Sequence, residues 1–304
     1  MIVAVCADKG SPGVTTLAMV LGMVWPGERL VLEADPSGGD LAFRARHVEG
    51  GGLLAAEPTV LSLAADARTG LPDGTLAQYA QPTTVGVPVI HGPPGAAAFV
   101  PMRGLWPVVA SEAARWSGTV IADLGRLQPG NAALPLAKAA TAVLVLAQVS
   151  VESLYHLRER VQDLSAIIGD PSRERHPVAV VVAARRGDDR ALTQVRRMLD
   201  AVGSPIPVAG VLATDPAAAE ALRTGEIRRG LDRSDLIRSA AELAGTLLTW
   251  WPQLADPPLQ VGHVDRRDAG GTPWNADRRD RTAHRPFGPG RADPVAAPPG
   301  GGAG

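Results

Sequence analysis

A loop that begins at Lys9 constrains the fold of this chain more than any other segment. It follows a short apolar run at residues 2–6 and leads into a second one at residues 15–24. The loop reads Lys-Gly-Ser-Pro-Gly-Val-Thr-Thr. A strand, a glycine-bearing loop and a helix start, in that order, bring backbone N–H groups together around a phosphate group. The segment therefore predicts an α/β fold with a nucleotide site at this loop.

Composition narrows the class of protein. Apolar residues make up 45% of the 304 residues, which is enough to bury a large core. The formal net charge of −1 argues against a chain built mainly to coat nucleic acid, while local basic patches stay open. A single cysteine, Cys6, leaves no disulfide framework and no cysteine pair for a metal. Without a basic signal-peptide region or an apolar run of ~20 residues, we expect a cytoplasmic protein.

Short β-branched runs alternate with longer helix-like segments, which is the pattern of a parallel sheet covered by helices. We predict strands at residues 2–6, 30–33, 87–91, 119–123, 142–147, 178–183 and 208–212. We predict helices at residues 15–24, 60–67, 104–116, 151–168, 189–201, 217–224 and 234–250. The expected fold is a single three-layer, doubly wound α/β domain with a mostly parallel sheet of about seven strands.

The composition changes after residue 255. Gly, Pro, Arg and Asp dominate residues 256–304, and the Arg-Asp clusters there nearly cancel in charge. Such a segment cannot bury enough apolar area to offset its chain entropy. We therefore predict a nucleotide-binding domain over residues 1–255 and a disordered tail over residues 256–304.

Four further segments follow the loop in an order that is typical of one protein family. They are the run 31–40 with Asp35-Pro36, a strand that ends at Asp123, the run 140–146 followed by 151–154, and the run 205–212 followed by Asp215-Pro216. Together with the loop, they resemble the MinD/ParA family, whose deviant phosphate-binding loop reads K-G-G-x-G-K-[ST]-T. Within that family the chain is most similar to TadZ/CpaE-type members with a degenerate loop, which help to position pilus-secretion machinery.

The resemblance implies a site for ATP or ADP with Mg²⁺. The residues implied in phosphate binding belong to the loop, apart from one arginine: Gly10, Ser11, Gly13, Val14, Thr15, Thr16 and Arg126. The magnesium ligands implied are Thr15 and Asp123. The catalytic residues implied are Lys9, Glu33 and Asp35. Lys9 would reach the phosphates held by the other subunit of a dimer, and the two carboxylates would lie near Mg²⁺ and the attacking water.

Val14 is the main departure from the family pattern. It stands where the family has the lysine that neutralises the β- and γ-phosphates. A cation at that point can stabilise a phosphoryl transition state by several kcal/mol, so its loss predicts weak or absent hydrolysis. Arg126 is a candidate to replace part of the missing charge.

The function expected from this resemblance is that of a dimeric, nucleotide-binding positioning or scaffold protein, with a pilus-type secretion system as the assembly it serves. Two alternatives are an active ATPase that partitions DNA or other cargo, and an interaction module that binds no nucleotide. Acidic residues interrupt the arginines near the C-terminal helices, which favours surface ion pairs over nonspecific DNA binding. Trp250 and Trp251 leave peripheral membrane contact as an alternative, although packing against the core is favoured.

Overall fold

Seven strands in the described part of the chain form one sheet, in which every neighbouring pair is parallel. The computed structural model describes residues 1–7, 12–169, 175–226 and 229–255. The strands are β1 (Ile2–Ala7), β2 (Arg29–Glu33), β3 (Val89–Ile90), β4 (Thr119–Arg126), β5 (Ala142–Gln148), β6 (Val178–Ala184) and β7 (Val208–Ala213). Their order across the sheet is β3-β2-β4-β1-β5-β6-β7. The predicted α/β fold is confirmed.

Helices connect the strands. Those in the described residues are α1 (Val14–Val24), α2 (Leu41–Arg44), α3 (Val60–Ala67), α4 (Ala96–Phe99), α5 (Trp106–Arg115), α6 (Leu134–Ala139), α7 (Val151–Ile168), α8 (Asp189–Ala201), α9 (Pro216–Thr224) and α10 (Asp235–Trp250). Side-chain caps fix several of their starts, because a hydroxyl or carboxylate accepts an otherwise unpaired N–H of the first turn. Thr59 and Ser62 form a reciprocal capping box on α3, and Ser234 caps α10.

The helices lie in two layers, one on each face of the sheet. On one face α1, α9 and α10 pack together over an apolar cluster that includes Val5, Leu17 and Leu243. On the other face α3, α5, α6, α7 and α8 cover a second cluster that includes Ile90 and Trp106. The two clusters occupy opposite faces because successive side chains of a strand point to opposite sides of the sheet.

The strand order creates a switch point beside β1. From β1 the chain first builds the β2 and β3 side, returns through β4, and then crosses to β5 on the other side. In open α/β sheets, ligands bind outside the carboxyl ends of the strands at such a point. Glu33 and Asp123 are paired across β2 and β4, so both carboxylates arrive at this edge next to the start of α1.

Some residues singled out in the sequence are not described by the structure, and others lie at the end of α10. Lys9, Gly10, Ser11 and the tail at residues 256–304 lie outside the described residues. Trp251 is buried in the cluster beneath α10, while Trp250 is half-buried and has the Arg175 guanidinium 5.3 Å from its ring centre. Within the described ranges, no helix combines the length and the apolar character needed to cross a bilayer.

Candidate functional site

The start of α1 presents backbone donors that have no acceptor among the described residues. Gly13 precedes the helix in a left-handed conformation, with φ 101°, and supplies no capping side chain. The first turn contains no acidic residue. Among the described residues, the first α1 amide with a backbone acceptor is that of Leu17, which donates to the Gly13 carbonyl at 2.8 Å. The amides before it therefore point out of the helix together with the positive end of its dipole, which is an arrangement that binds anions.

The side chain of Val14 faces the core instead of this anion site. It is 8% exposed and belongs to the apolar cluster between α1 and the sheet. The loop position that carries a lysine in the family pattern is thus occupied by a packed hydrocarbon. Val14 offers a ligand its backbone N–H only.

Asp123 provides a buried carboxylate near the start of α1. Its Oδ1 accepts the Gly125 N–H at 3.0 Å. Within the described residues its Oδ2 has no hydrogen-bond partner, although the residue is only 1% exposed. Burial raises the pKa of Asp123 to about 6, and the nearby Thr15 hydroxyl and Gly125 N–H oppose that shift only in part. An unpaired buried carboxylate oxygen beside a threonine hydroxyl is the donor set that Mg²⁺ takes.

Asp35 joins this group through a tight turn after β2. Its Oδ1 accepts the Ser37 N–H at 2.8 Å, and its carbonyl accepts the Gly38 N–H at 3.0 Å. The carboxylate packs against Gly125, where a Cβ atom would lie 2.1 Å from it. From there the charge of Asp35 contributes to the raised pKa of Asp123. Within the described residues, the structure therefore brings Thr15, Asp35 and Asp123 to the same edge of the sheet.

Gly125→Ala tests the packing of Asp35. Alanine at this position meets the Asp35 carboxylate and is also strained at φ +56°, so we expect it to lower the free energy of unfolding by about 2–3 kcal/mol. Gly203→Ala is the matched control, because Gly203 has φ +63° and nothing within 4 Å of the added methyl group. Urea unfolding should show a larger loss at residue 125, and Asp35→Ala should remove the difference. An equal loss in both variants would contradict the contact.

Glu33 is buried beside Asp123 but is fully engaged by backbone groups. Its Oε1 accepts the N–H groups of Asp40 at 2.8 Å and Leu41 at 3.0 Å, and its Oε2 accepts that of Gly92 at 2.9 Å. Burial raises the pKa of Glu33 to about 7, and the hydrogen bonds from Leu41 and Gly92 lower it in part. Its two oxygens bind the protein's own loops.

Arg126 lies at the end of β4, beside the last residue of β1. Its side chain is exposed, and its carbonyl accepts a hydrogen bond from the Asn131 amide at 2.7 Å. Arg126 is paired with Ala7, and the Leu127 N–H donates to the Ala7 carbonyl at 3.0 Å. The residue thus lies at the same edge of the sheet as the carboxyl end of β1.

Arg44 is a candidate that the sequence patterns did not reveal. It lies in α2, forms an ion pair with Asp40 across one turn, and is near enough to Asp123 to act against the effect of burial on the pKa of that carboxyl. A four-residue helix is too short to show helical periodicity. The available signal was the Asp40 and Arg44 spacing, which is that of an i,i+4 pair directly after two glycines.

The fold of this chain is similar to that of several solved structures. No protein-family model and no curated protein sequence matches the chain. A ParA family ATPase from Chlorobium tepidum is 12% identical, with a TM-score of 0.59 over 80% of this chain and 98% of that chain. The cell division ATPase MinD from Pyrococcus furiosus is 17% identical, with a TM-score of 0.59 over 82% of this chain and 98% of that chain.

A third neighbour is the septum site-determining protein MinD from Pyrococcus horikoshii, solved in complex with Mg-ADP. It is 16% identical, with a TM-score of 0.56 over 80% of this chain and 93% of that chain. At identities of 12 to 17%, these similarities establish the fold, which this chain shares with the MinD and ParA ATPases.

Proposed function

We propose that this protein binds ATP or ADP with Mg²⁺ at the start of α1. The observation that carries the proposal is the buried Oδ2 of Asp123, which lies near the Thr15 hydroxyl and the first turn of α1. Among the described residues, neither this oxygen nor the amides of that turn have a hydrogen-bond partner. A buried carboxylate oxygen without a partner is unfavourable unless a cation or a donor meets it. The anion site and the cation ligands lie side by side, as a magnesium nucleotide requires.

The residues have separate roles in this proposal. The N–H groups of Gly13, Val14 and Thr15 hold a phosphate, while the Thr15 hydroxyl and Asp123 hold the metal. When bound, Mg²⁺ neutralises phosphate charge. Asp35 is half-buried at the same edge of the sheet and orients water beside the site. Lys9, Gly10, Ser11 and Thr16 complete the loop in the proposal, with Lys9 directed at the nucleotide of a second subunit.

Hydrolysis is weak or absent in this proposal. Val14 packs into the core, so it supplies no ammonium group to the developing charge on a transferred phosphoryl group. Arg44 and Arg126 are two of the cations near this edge of the sheet. Both lie on other elements and lack the fixed position of a lysine in the first turn of α1.

A nucleotide-dependent dimer that positions a larger assembly is the role that agrees best with these features. Among proteins of this fold, MinD from Aquifex aeolicus was solved in a complex with MinC, and a Borrelia burgdorferi protein bound to AMPPNP is described as a putative plasmid partition protein. A pilus-type secretion system, with the chain acting as a TadZ/CpaE-like factor, is the assembly we propose. Partitioning of DNA or another cargo by an active ATPase is the second candidate.

Titration with Mg·ADP and with a non-hydrolysable ATP analogue tests the proposal. We expect saturable binding with a Kd of about 1–100 μM, weakened about tenfold or more when EDTA removes the metal. Light scattering during the same titration should show the mass doubling with the ATP analogue. Absence of saturable binding below about 1 mM would leave the nucleotide-free interaction module as the function. Rapid ATP turnover would favour the partitioning ATPase instead.

A further inference from the structure

Two loops meet at the side chain of Glu33. The first follows β2 and leads into α2, and the second follows β3. Glu33 Oε1 accepts two N–H groups from the first loop, those of Asp40 and Leu41, while Oε2 accepts the N–H of Gly92 in the second. A carboxylate that accepts three backbone donors inside the protein holds both loops by charge-assisted hydrogen bonds.

The packing around this carboxylate leaves no spare room. A Cβ atom on Gly39 would lie 2.2 Å from Glu33 Oε2, and a Cβ on Gly38 would lie 2.8 Å from the Pro94 carbonyl. The Gly39 N–H also donates to the Pro93 carbonyl at 2.8 Å. The two loops are therefore in backbone contact, and the glycines permit that contact because they carry no side chain.

The first of these loops carries Asp35. Glu33 stands at its start and binds amides at its end, so one side chain closes the loop on itself. Within the closed loop, the Asp35 turn places its carboxylate against Gly125. Any loosening of the Asp40 and Leu41 amides would release the turn from the end opposite to β2.

We propose that Glu33 is a positioning residue that fixes Asp35 at the edge of the site and does not itself touch the ligand. The consequence for ligand binding rests on the proposed nucleotide function. The clamp itself, which consists of the hydrogen bonds from Asp40, Leu41 and Gly92 to the Glu33 carboxylate, exists in the ligand-free protein. The length of the side chain matters, since aspartate is one methylene shorter and cannot span both loops. Glutamine keeps the length but presents an amide nitrogen to at least one of the N–H donors.

Amide hydrogen exchange of the ligand-free protein tests the clamp directly. In Glu33→Gln we expect the amides of Asp40, Leu41 and Gly92 to exchange at least about tenfold faster, while amides in β5 and β6 change little. Glu112→Gln is the matched control, because Glu112 is also a buried glutamate but pairs with Arg115 on α5. If Glu33→Gln does not fold, Gly39→Ala presses on the same carboxylate and should give the same local loss of protection.

A double-mutant cycle with Asp35→Ala separates positioning from direct contact. If Glu33 acts through Asp35, then Glu33→Gln should change the Mg·ADP affinity by less than about twofold in the Asp35→Ala background. Its full effect in that background would mean that Glu33 contacts the ligand and would overturn the proposal, as would unchanged exchange in the ligand-free variant. If the amides exchange faster in Glu33→Gln but the protein binds no nucleotide, the clamp is supported and only the proposed function is refuted.

Discussion

Asp123→Asn is expected to stabilise the ligand-free protein by about 3 kcal/mol at pH 8. Asparagine retains an acceptor for the Gly125 N–H but removes a buried charge whose Oδ2 has no partner among the described residues. Burial raises the pKa of Asp123 from its ordinary 3.8 to about 6, and each unit corresponds to about 1.4 kcal/mol. The native state bears this penalty only when the carboxylate is ionised.

The stabilisation by Asp123→Asn should be largest above pH 6 and should decrease as the pH falls. Above pH 6 both the native and the unfolded chain are ionised at Asp123, so the whole penalty is present. Between about pH 6 and pH 4 the native chain holds a proton that the unfolded chain has released, so wild-type stability rises as the pH falls. The advantage of Asp123→Asn should therefore shrink towards zero near pH 4. Urea unfolding in EDTA at several pH values measures it, with Asp200→Asn as an exposed control.

The same substitution should have the opposite effect on ligand binding. Loss of the carboxylate removes one proposed magnesium ligand, so we expect Mg·ADP affinity to fall about 100-fold and to lose most of its dependence on the metal. A residue that destabilises the empty protein yet strengthens ligand binding is characteristic of a functional site. Unchanged metal dependence in calorimetric titrations would remove Asp123 from the metal site.

Trp106→Ala is expected to lower the free energy of unfolding by about 3–5 kcal/mol. Trp106 is fully buried at the start of α5 and stacks on Phe99, with ring centroids 5.8 Å apart and planes at 10°. Its indole nitrogen has no hydrogen-bond partner among the described residues, so the loss comes from the transfer of the ring and from the cavity left behind.

Urea unfolding measures the loss at Trp106, and a similar m-value would show that the comparison is valid. Trp250→Ala serves as the control, since Trp250 is only half-buried at the end of α10, at the margin of the apolar cluster, with Trp251 edge-on to it and the Arg175 guanidinium over its ring. We expect a loss of about 1–2 kcal/mol for that variant. Equal losses in both variants would mean that the core around α5 tolerates a cavity.

Most of the sheet could be predicted because its strands are short, buried, β-branched runs. The predicted helices at residues 60–67, 151–168 and 189–201 match α3, α7 and α8 residue for residue, since capping side chains mark their starts. The strand predicted at residues 87–91 is reduced to Val89–Ile90. Pro88 has no N–H to donate, so the ladder begins after it. Helices α2 and α4 were not predicted, because four residues are too few to show a helical repeat of apolar side chains.

In the candidate site, too, some features were expected from the sequence and others became visible only in the structure. The resemblance to the MinD/ParA family implied that Asp35, Asp123 and Thr15 share one site, and parallel strands bring the two aspartates to one edge of the sheet. The contact of Glu33 with Gly92 could not be predicted, since it joins residues 59 positions apart through a loop whose path no local pattern specifies. The inward orientation of Val14 was equally hidden, because the sequence shows which side chain replaces lysine but not where it points.

The amides at the start of α1, which have no acceptor among the described residues, belong to the main chain and not to any particular side chain. An anion site made of main-chain groups persists through almost any exchange of side chains, provided that the turn at Gly13 keeps its shape. Chains can therefore drift far from one another in residue identity while they retain the same chemical capacity. Comparisons of residue identity will miss such relatives, whereas comparisons of backbone geometry will find them.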